Sequence, residues 1–163
     1  MSDISASAQA RAIFVEVVLL SERDGVLRYR AEREALDGGV HPDDLAVALT
    51  GLTLCTPGAF LHSTSWREEH GALVLSYAAL PDPVPQATRP VVVDAMVASG
   101  SPLVPSPCAV DLDAVAAHAC RHLALLLTTD PVAVEAAAEA PHMWGLIAKL
   151  PAGTAGALGS LAR

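Results

Sequence analysis

The chain has 163 residues, the length of one ordinary domain, and no Ser/Gly-rich or highly charged stretch interrupts its middle as a linker would. Its 18 acidic and 10 basic residues give a net charge of −8, and the basic ones are scattered, so phosphate backbones and anionic lipid are repelled: neither nucleic acid nor a membrane is an expected partner. Hydrophobic residues make up 52% and aromatic ones only 4%, with a mean hydropathy of +0.41, so the core is built from Ala, Leu and Val, and the apolar excess points to a homodimer or larger homo-oligomer.

In chain order, residues 1–10 are small and polar, without the basic and apolar regions of a secretory signal, which leads to the expectation of a cytoplasmic protein with a flexible start. Residues 12–20 are rich in Val and Ile and read as a buried strand, too short for the ~20 residues that cross a bilayer. Asp24-Gly25 is a hairpin turn, and residues 26–31 return as a second strand with Leu27 and Tyr29 on one face and Arg28 and Arg30 on a wetter one. Gly38-Gly39 breaks the chain, and His41-Pro42-Asp43-Asp44 opens a helix over 42–50 that ends at Gly51. Residues 59–66 and 72–80 flank the polar loop 67–71 as a second hairpin.

Four prolines make residues 81–90 an extended loop, followed by a strand over 91–97 in which Asp94 needs an Arg partner. A second Pro-rich stretch, 99–107, leads into the longest helix, 111–127; Asp130-Pro131 starts another, and Pro141 a third through Leu150. The tail 152–163 is Gly/Ala-rich and expected to fray. Strands crowd the first 97 residues and helices the rest, which gives a single α+β domain with helices laid against a mixed or mostly antiparallel sheet. Cys55, Cys108 and Cys120 are too widely spaced for a disulfide framework or zinc knuckle, and are expected to be small buried hydrophobes.

The segment His62-Ser63-Thr64-Ser65-Trp66-Arg67 places a run of polar side chains inside a strand. Alternation assigns His62, Thr64 and Trp66 to one face, with Trp66 buried opposite Ala72 or Leu73, and Ser63, Ser65 and Arg67 to the other. One reading is a ligand-facing strand, with His62 and Thr64 as hydrogen-bond partners, Trp66 as an apolar wall, and Arg67, Arg28 and Arg30 as anion contacts; the other is an antiparallel strand with one wet face. No Gly-x-Ser-x-Gly elbow accompanies the His/Ser pair, so serine hydrolase chemistry is not expected. His118 and His122 lie one helical turn apart, the spacing of helical metal sites, but two ligands fall short of the three or four a site needs, and a third would have to come from Asp94, His142 or Cys120. Glu32, Glu34, Asp37, Asp43 and Asp44 form an acidic cluster around the two glycines that would hold Mg²⁺ only if the loop folded back. No cofactor is expected.

The order of an apolar strand, a Ser-Glu-Arg-Asp-Gly turn, Val26-Leu27-Arg28-Tyr29-Arg30 and then Leu36-Asp37-Gly38-Gly39-Val40-His41-Pro42 resembles the opening of Nudix-fold proteins over roughly the first 80 residues. That family's box is Gly, five residues, Glu, seven residues, then Arg-Glu-apolar-x-Glu-Glu-x-Gly-apolar. A frame from Gly38 puts Asp44 at the first acid but Leu52-Thr53 at Arg-Glu and Thr56-Pro57 at the metal-binding glutamates. A frame ending on Glu68-Glu69-His70-Gly71-Ala72 leaves Thr64-Ser65 at Arg-Glu and Thr50 at the opening Gly. What the resemblance implies is therefore a Nudix-like fold without metal-dependent pyrophosphatase chemistry. Three functions stay open: a non-catalytic small-molecule or nucleotide-binding domain, a structural or interaction protein acting through self-association, and an enzyme using His62 or His118 and His122.

Overall fold

Two hairpins supply four of the five strands of the sheet. Asp24 and Gly25 both take positive φ, at 55° and 75°, and His70 and Gly71 do the same at 50° and 81°, which is the turn geometry whose twist matches paired strands. The computed structural model describes residues 11–53, 55–95 and 110–153. The first hairpin joins β1 (Ile13–Arg23) to β2 (Val26–Ala35), and the second joins β3 (Phe60–Glu69) to β4 (Ala72–Leu80). Helix α1 (Pro42–Thr50) connects the hairpins, β5 (Arg89–Pro90) follows them, and α2 (Leu112–Thr129), α3 (Pro131–Glu139) and α4 (Pro141–Ile147) close the chain. The sheet order is β3-β4-β1-β2-β5, antiparallel except for the central β1/β4 pair, which is parallel. The result is an α+β fold with a mixed five-stranded sheet, and no helix among the described residues is long and apolar enough to cross a membrane.

Both faces of the sheet carry helices. Odd residues of β1 point to one side, where Val15, Val17 and Leu19 pack with Tyr77, Ala79 and Ala46 of α1. Even ones point to the other, where Val18 and Leu20 join Ala78, Leu80, Tyr29 and Phe60 beneath Leu123 of α2, Ala133 of α3 and Trp144 of α4. At roughly 25 cal/mol per Å² of apolar area removed from water, these two clusters are the main favourable term in folding. Local signals fix the helix starts: His41 Nδ1 accepts from the Asp43 amide at 3.2 Å, Asp111 from that of Asp113 at 3.0 Å, and Asp130 from that of Val132 at 2.9 Å. Gly51, at φ 65°, ends α1. Gly58 has a packing reason as well, because at φ 70° a Cβ there would lie 2.6 Å from Ala140 Cβ, while its amide donates to Glu139 Oε2 at 2.7 Å.

Several expectations are corrected. Residues 91–95 form no strand; only Arg89 and Pro90 pair with β2, Pro90 has no amide to lend the ladder, and after one bond from the Val91 amide to the Leu27 carbonyl at 2.9 Å the chain turns at Val93-Asp94. Asp94 consequently sits exposed in a turn and needs no Arg partner; Arg121 donates instead to the Val93 carbonyl at 2.6 Å. The segment 67–69 belongs to β3 rather than to the loop, and β2 runs on to Ala35. Cys120 is buried as expected but Cys55 is exposed. The expectations for residues 1–10, for 99–107, for Cys108 and for most of the tail fall outside the described residues.

The sharpest correction concerns the polar strand. Ser63 pairs with Tyr77 and Ser65 with Ser76, so Thr64 is the extra residue of a β-bulge. One inserted residue reverses the alternation, and His62, Ser65 and Arg67 face α2 while Trp66, opposite Leu75, faces the α1 side. Trp66 is 66% exposed rather than buried. It sits on the outer strand, over a sheet face of which the nine-residue α1 covers mainly β1.

Candidate functional site

Among the described residues β5 pairs only with Arg28 and Tyr29 of β2, and a groove of about 550 Å³ lies beside the strand beyond them. Tyr29, Arg30 and Glu32 of β2, Gln86 and Arg89 of the proline-rich segment, and Leu112 at the head of α2 line it. Its polar end is a three-residue unit. The Tyr29 hydroxyl donates to the Asp113 carboxylate and accepts from Arg89 Nη2 at 2.7 Å, and Arg89 Nη2 is 3.5 Å from Asp113. The Arg89 guanidinium lies 5.3 Å from the centre of the Tyr29 ring. Burial, and then the bond to Asp113, push the Tyr29 hydroxyl up to about 12, so it is neutral at physiological pH and serves as a fixed donor, not a base. Asp113 holds that donor, Tyr29 orients Arg89, and the Arg89 side chain remains 54% exposed toward the groove.

Arg30 forms the opposite lip. Its guanidinium grips the buried Asp82 with Nε at 2.6 Å and Nη2 at 2.9 Å and also meets Glu32, and its pKa is raised chiefly by the Asp82 bond. Asp82 in turn accepts from the Val84 amide at 3.0 Å, so this pair anchors the loop after β4. Arg28 is spent in the same way, on the Thr88 hydroxyl at 2.9 Å and the Thr88 carbonyl at 2.6 Å. The face of β2 expected to be wet is thus covered by the segment 82–88, and Arg28 is a structural clamp.

Arg67 is also internal. It is 8% exposed and makes a two-pronged pair with Glu16, Nη1 to Oε1 at 2.8 Å and Nη2 to Oε2 at 3.0 Å, with Ser76 Oγ at 3.0 Å from Nη1 and Glu69 Oε2 at 3.0 Å from Nε. Burial opposes its charge, but the bonds to Glu16 and Glu69 outweigh that, and its pKa lies above the ordinary value. Every edge of the fork that an anion would use is occupied.

The bulge also brings together histidines that lie 56 and 60 positions apart in the chain. His62 of β3 lies 5.4 Å, centre to centre, from His122 of α2, which lies 6.3 Å from His118; His62 stacks on Phe60 at 5.9 Å. Neither Asp94, His142 nor Cys120 joins the pair, and among the described residues no group of three His, Cys, Asp or Glu side chains could hold a metal ion. The acidic cluster around Gly38-Gly39 does not converge either: Asp43 accepts from the Tyr77 hydroxyl at 2.6 Å and Glu32 turns to Arg30.

Of the residues singled out from sequence, His62 and Thr64 lie near α2, Arg30 lines the groove, and Arg28, Arg67 and Trp66 lie elsewhere. Tyr29, Arg89, Gln86 and Asp113 were missed as site residues. Their only sequence signal is a tyrosine alternating with arginines and an acid in a first helical turn, both of which have ordinary structural explanations. No family model, no curated protein and no solved structure matches this chain.

Proposed function

We propose that the protein is a non-catalytic domain that binds a small organic acid in the β2 groove, with Arg89 as the anion contact. The observation that carries this reading is the Tyr29–Asp113–Arg89 unit. It holds a guanidinium at the rim of a concavity, half exposed, and among the described residues that guanidinium is engaged only through Nη2, by the neutral Tyr29 hydroxyl and by Asp113 at 3.5 Å. The apolar lining is Ala31, Val84, Ala87 and Leu112, and Tyr29 is only 1% exposed, so the groove favours an aliphatic body over a stacked base. A nucleotide would engage through its phosphate alone. The hydroxyl nearest the anion position is pushed up to about 12 by burial and the Asp113 bond, which favours binding over proton transfer.

The fold reading that accompanies this is a Nudix-like one in which α1, after Gly38-Gly39, stands in the place of the family's catalytic helix with Asp43 committed to Tyr77. A second function is favoured by a separate observation. Trp66, 66% exposed on a face shared with Leu61, Leu73 and Leu75, suits self-association through that sheet face into a homodimer.

Thermal-shift screening against aliphatic mono- and dicarboxylates, phosphate monoesters and nucleotides tests the first reading, since a ligand of the folded state raises Tm. The expected hits are short-chain acids whose effect disappears in Arg89→Gln. Absence of any hit, or an undiminished shift in Arg89→Gln, would overturn it.

A further inference from the structure

The histidines of α2 are only partly buried, yet ring nitrogens of both are enclosed without the partners that such polar atoms ordinarily have. Among the described residues, both ring nitrogens of His122 and Nε2 of His118 are enclosed and find no hydrogen-bond partner, and Arg121 Nε and Trp144 Nε1 are in the same condition. A neutral imidazole tolerates such a site as a flat, weakly polar ring, whereas an imidazolium has two donors to satisfy and a charge to solvate.

We propose that His62, His118 and His122 form a proton-operated latch between α2 and β3, closed while the rings are neutral and released when His118 and His122 are protonated. The rings lie close to one another, with centres 5.4 Å apart for His62 and His122 and 6.3 Å apart for His118 and His122, so positive charge on both α2 rings is self-repelling. Among the described residues, the groups on the surrounding elements do not neutralise that charge. On α2, Arg121 adds a further positive charge, and the Cys120 thiol, raised to about 12 by burial, stays neutral. On β3, β1 and β4, Arg67, Glu16 and Ser76 satisfy one another, and the backbone of Thr64 is the only group there that favours a charged His118. On α3, Glu139 is bound to the Gly58 amide and Glu135 is exposed; on α4 His142 is exposed, as is Lys149 just after that helix. Asp113, one and a half turns before His118, is committed to Tyr29.

The electrostatics agree in direction. Burial first, then the charge of Arg121, lower the His118 pKa; burial first, then His62 and His118, lower that of His122. A His whose folded pKa is depressed contributes stability that is intact above its ordinary value near 6.5 and is lost as pH falls toward the folded value. Because α2 begins with Leu112 and Asp113, its release also moves one wall of the β2 groove and loosens the Tyr29–Asp113 contact.

Amide deuterium exchange on the full chain at pH 7.5 and pH 5.5, corrected for intrinsic rates, tests the latch. The expected result is that peptides of α2 exchange at least about tenfold faster at the lower pH while those of β1 and β4 do not, since local opening precedes global unfolding. In His118→Gln/His122→Gln the acceleration should vanish. Equal acceleration of α2, β1 and β4 in the unsubstituted chain, or undiminished acceleration in the variant, would overturn the proposal. Should the double variant not fold, His62→Gln on the strand side should weaken the acceleration, and no change there would equally overturn it. Ring-proton titration by NMR gives an independent reading: folded-state midpoints for His118 and His122 at or above that of the unfolded chain would exclude a latch.

Discussion

Replacing Arg67 by Met removes the centre of a polar network that crosses the sheet. Arg67 on β3 bonds Glu16 on β1 at 2.8 and 3.0 Å and Ser76 on β4 at 3.0 Å, and it shares Glu69 with Arg33 of β2, which lies 2.8 Å from that carboxylate. Glu16 is 4% exposed, so the substitution leaves a carboxylate out of water with Ser76 Oγ, 3.4 Å away, as its remaining partner. Breaking one side of a buried pair costs about 3–5 kcal/mol, because the stranded charge must be desolvated, neutralised or exposed by local opening. With a urea slope of about 2 kcal/mol/M, the midpoint of unfolding should fall by roughly 2 M. The companion variant Arg67→Met/Glu16→Met removes both charges and should recover at least half of the loss, since apolar replacement of a whole buried pair is often neutral or better. Urea unfolding followed by circular dichroism on the two singles and the double supplies the cycle. A loss below about 1 kcal/mol for Arg67→Met, or simple additivity in the double variant, would refute the assignment of Arg67 to the core in place of a ligand.

Glu69 gives a pH counterpart: its hydrogen bond to Arg33, then that to Arg67, hold its pKa below the ordinary 4.5. Its contribution is present above that value and lost as pH falls through the folded one, so Glu69→Gln should destabilise at neutral pH and have little effect near about pH 2, as acid unfolding of both proteins will show. Tyr29→Phe removes the hydrogen bonds to Asp113 and Arg89 and should cost about 1.5–3 kcal/mol in chemical denaturation while leaving far-UV dichroism unchanged. Gly58→Ala, at φ 70° and with a new Cβ 2.6 Å from Ala140, should lose about 1–3 kcal/mol by the same measurement. Trp66→Ala should change monomer stability by less than about 1 kcal/mol, in contrast to the burial expected from strand alternation; light scattering on the same variant checks whether a dimer depends on that face.

The local level was legible from sequence wherever a residue's own chemistry decides the outcome. Asp24-Gly25 specifies a tight turn, His41-Pro42 and Asp130-Pro131 specify helix starts, Gly51 specifies a stop, and the Val/Leu run of β1 specifies a strand buried on both faces. Those signals suffice for an α+β domain. What they leave undetermined is anything set by contact between distant segments. A single bulge at Thr64, invisible to alternation, turned Trp66 outward and carried His62 and Arg67 to the face beneath α2. The roles of the arginines followed from which carboxylates or carbonyls lay within reach after folding: Asp82 for Arg30, Thr88 for Arg28 and Glu16 for Arg67, at separations of 52, 60 and 51 residues. Tyr29, Arg89 and Asp113 likewise became one unit only because β5 and the head of α2 meet at the edge of β2. Turn and cap preferences are properties of a few adjacent residues, and the chain states them directly; charge pairing and burial depend on three-dimensional neighbours, and only the tertiary structure supplies those.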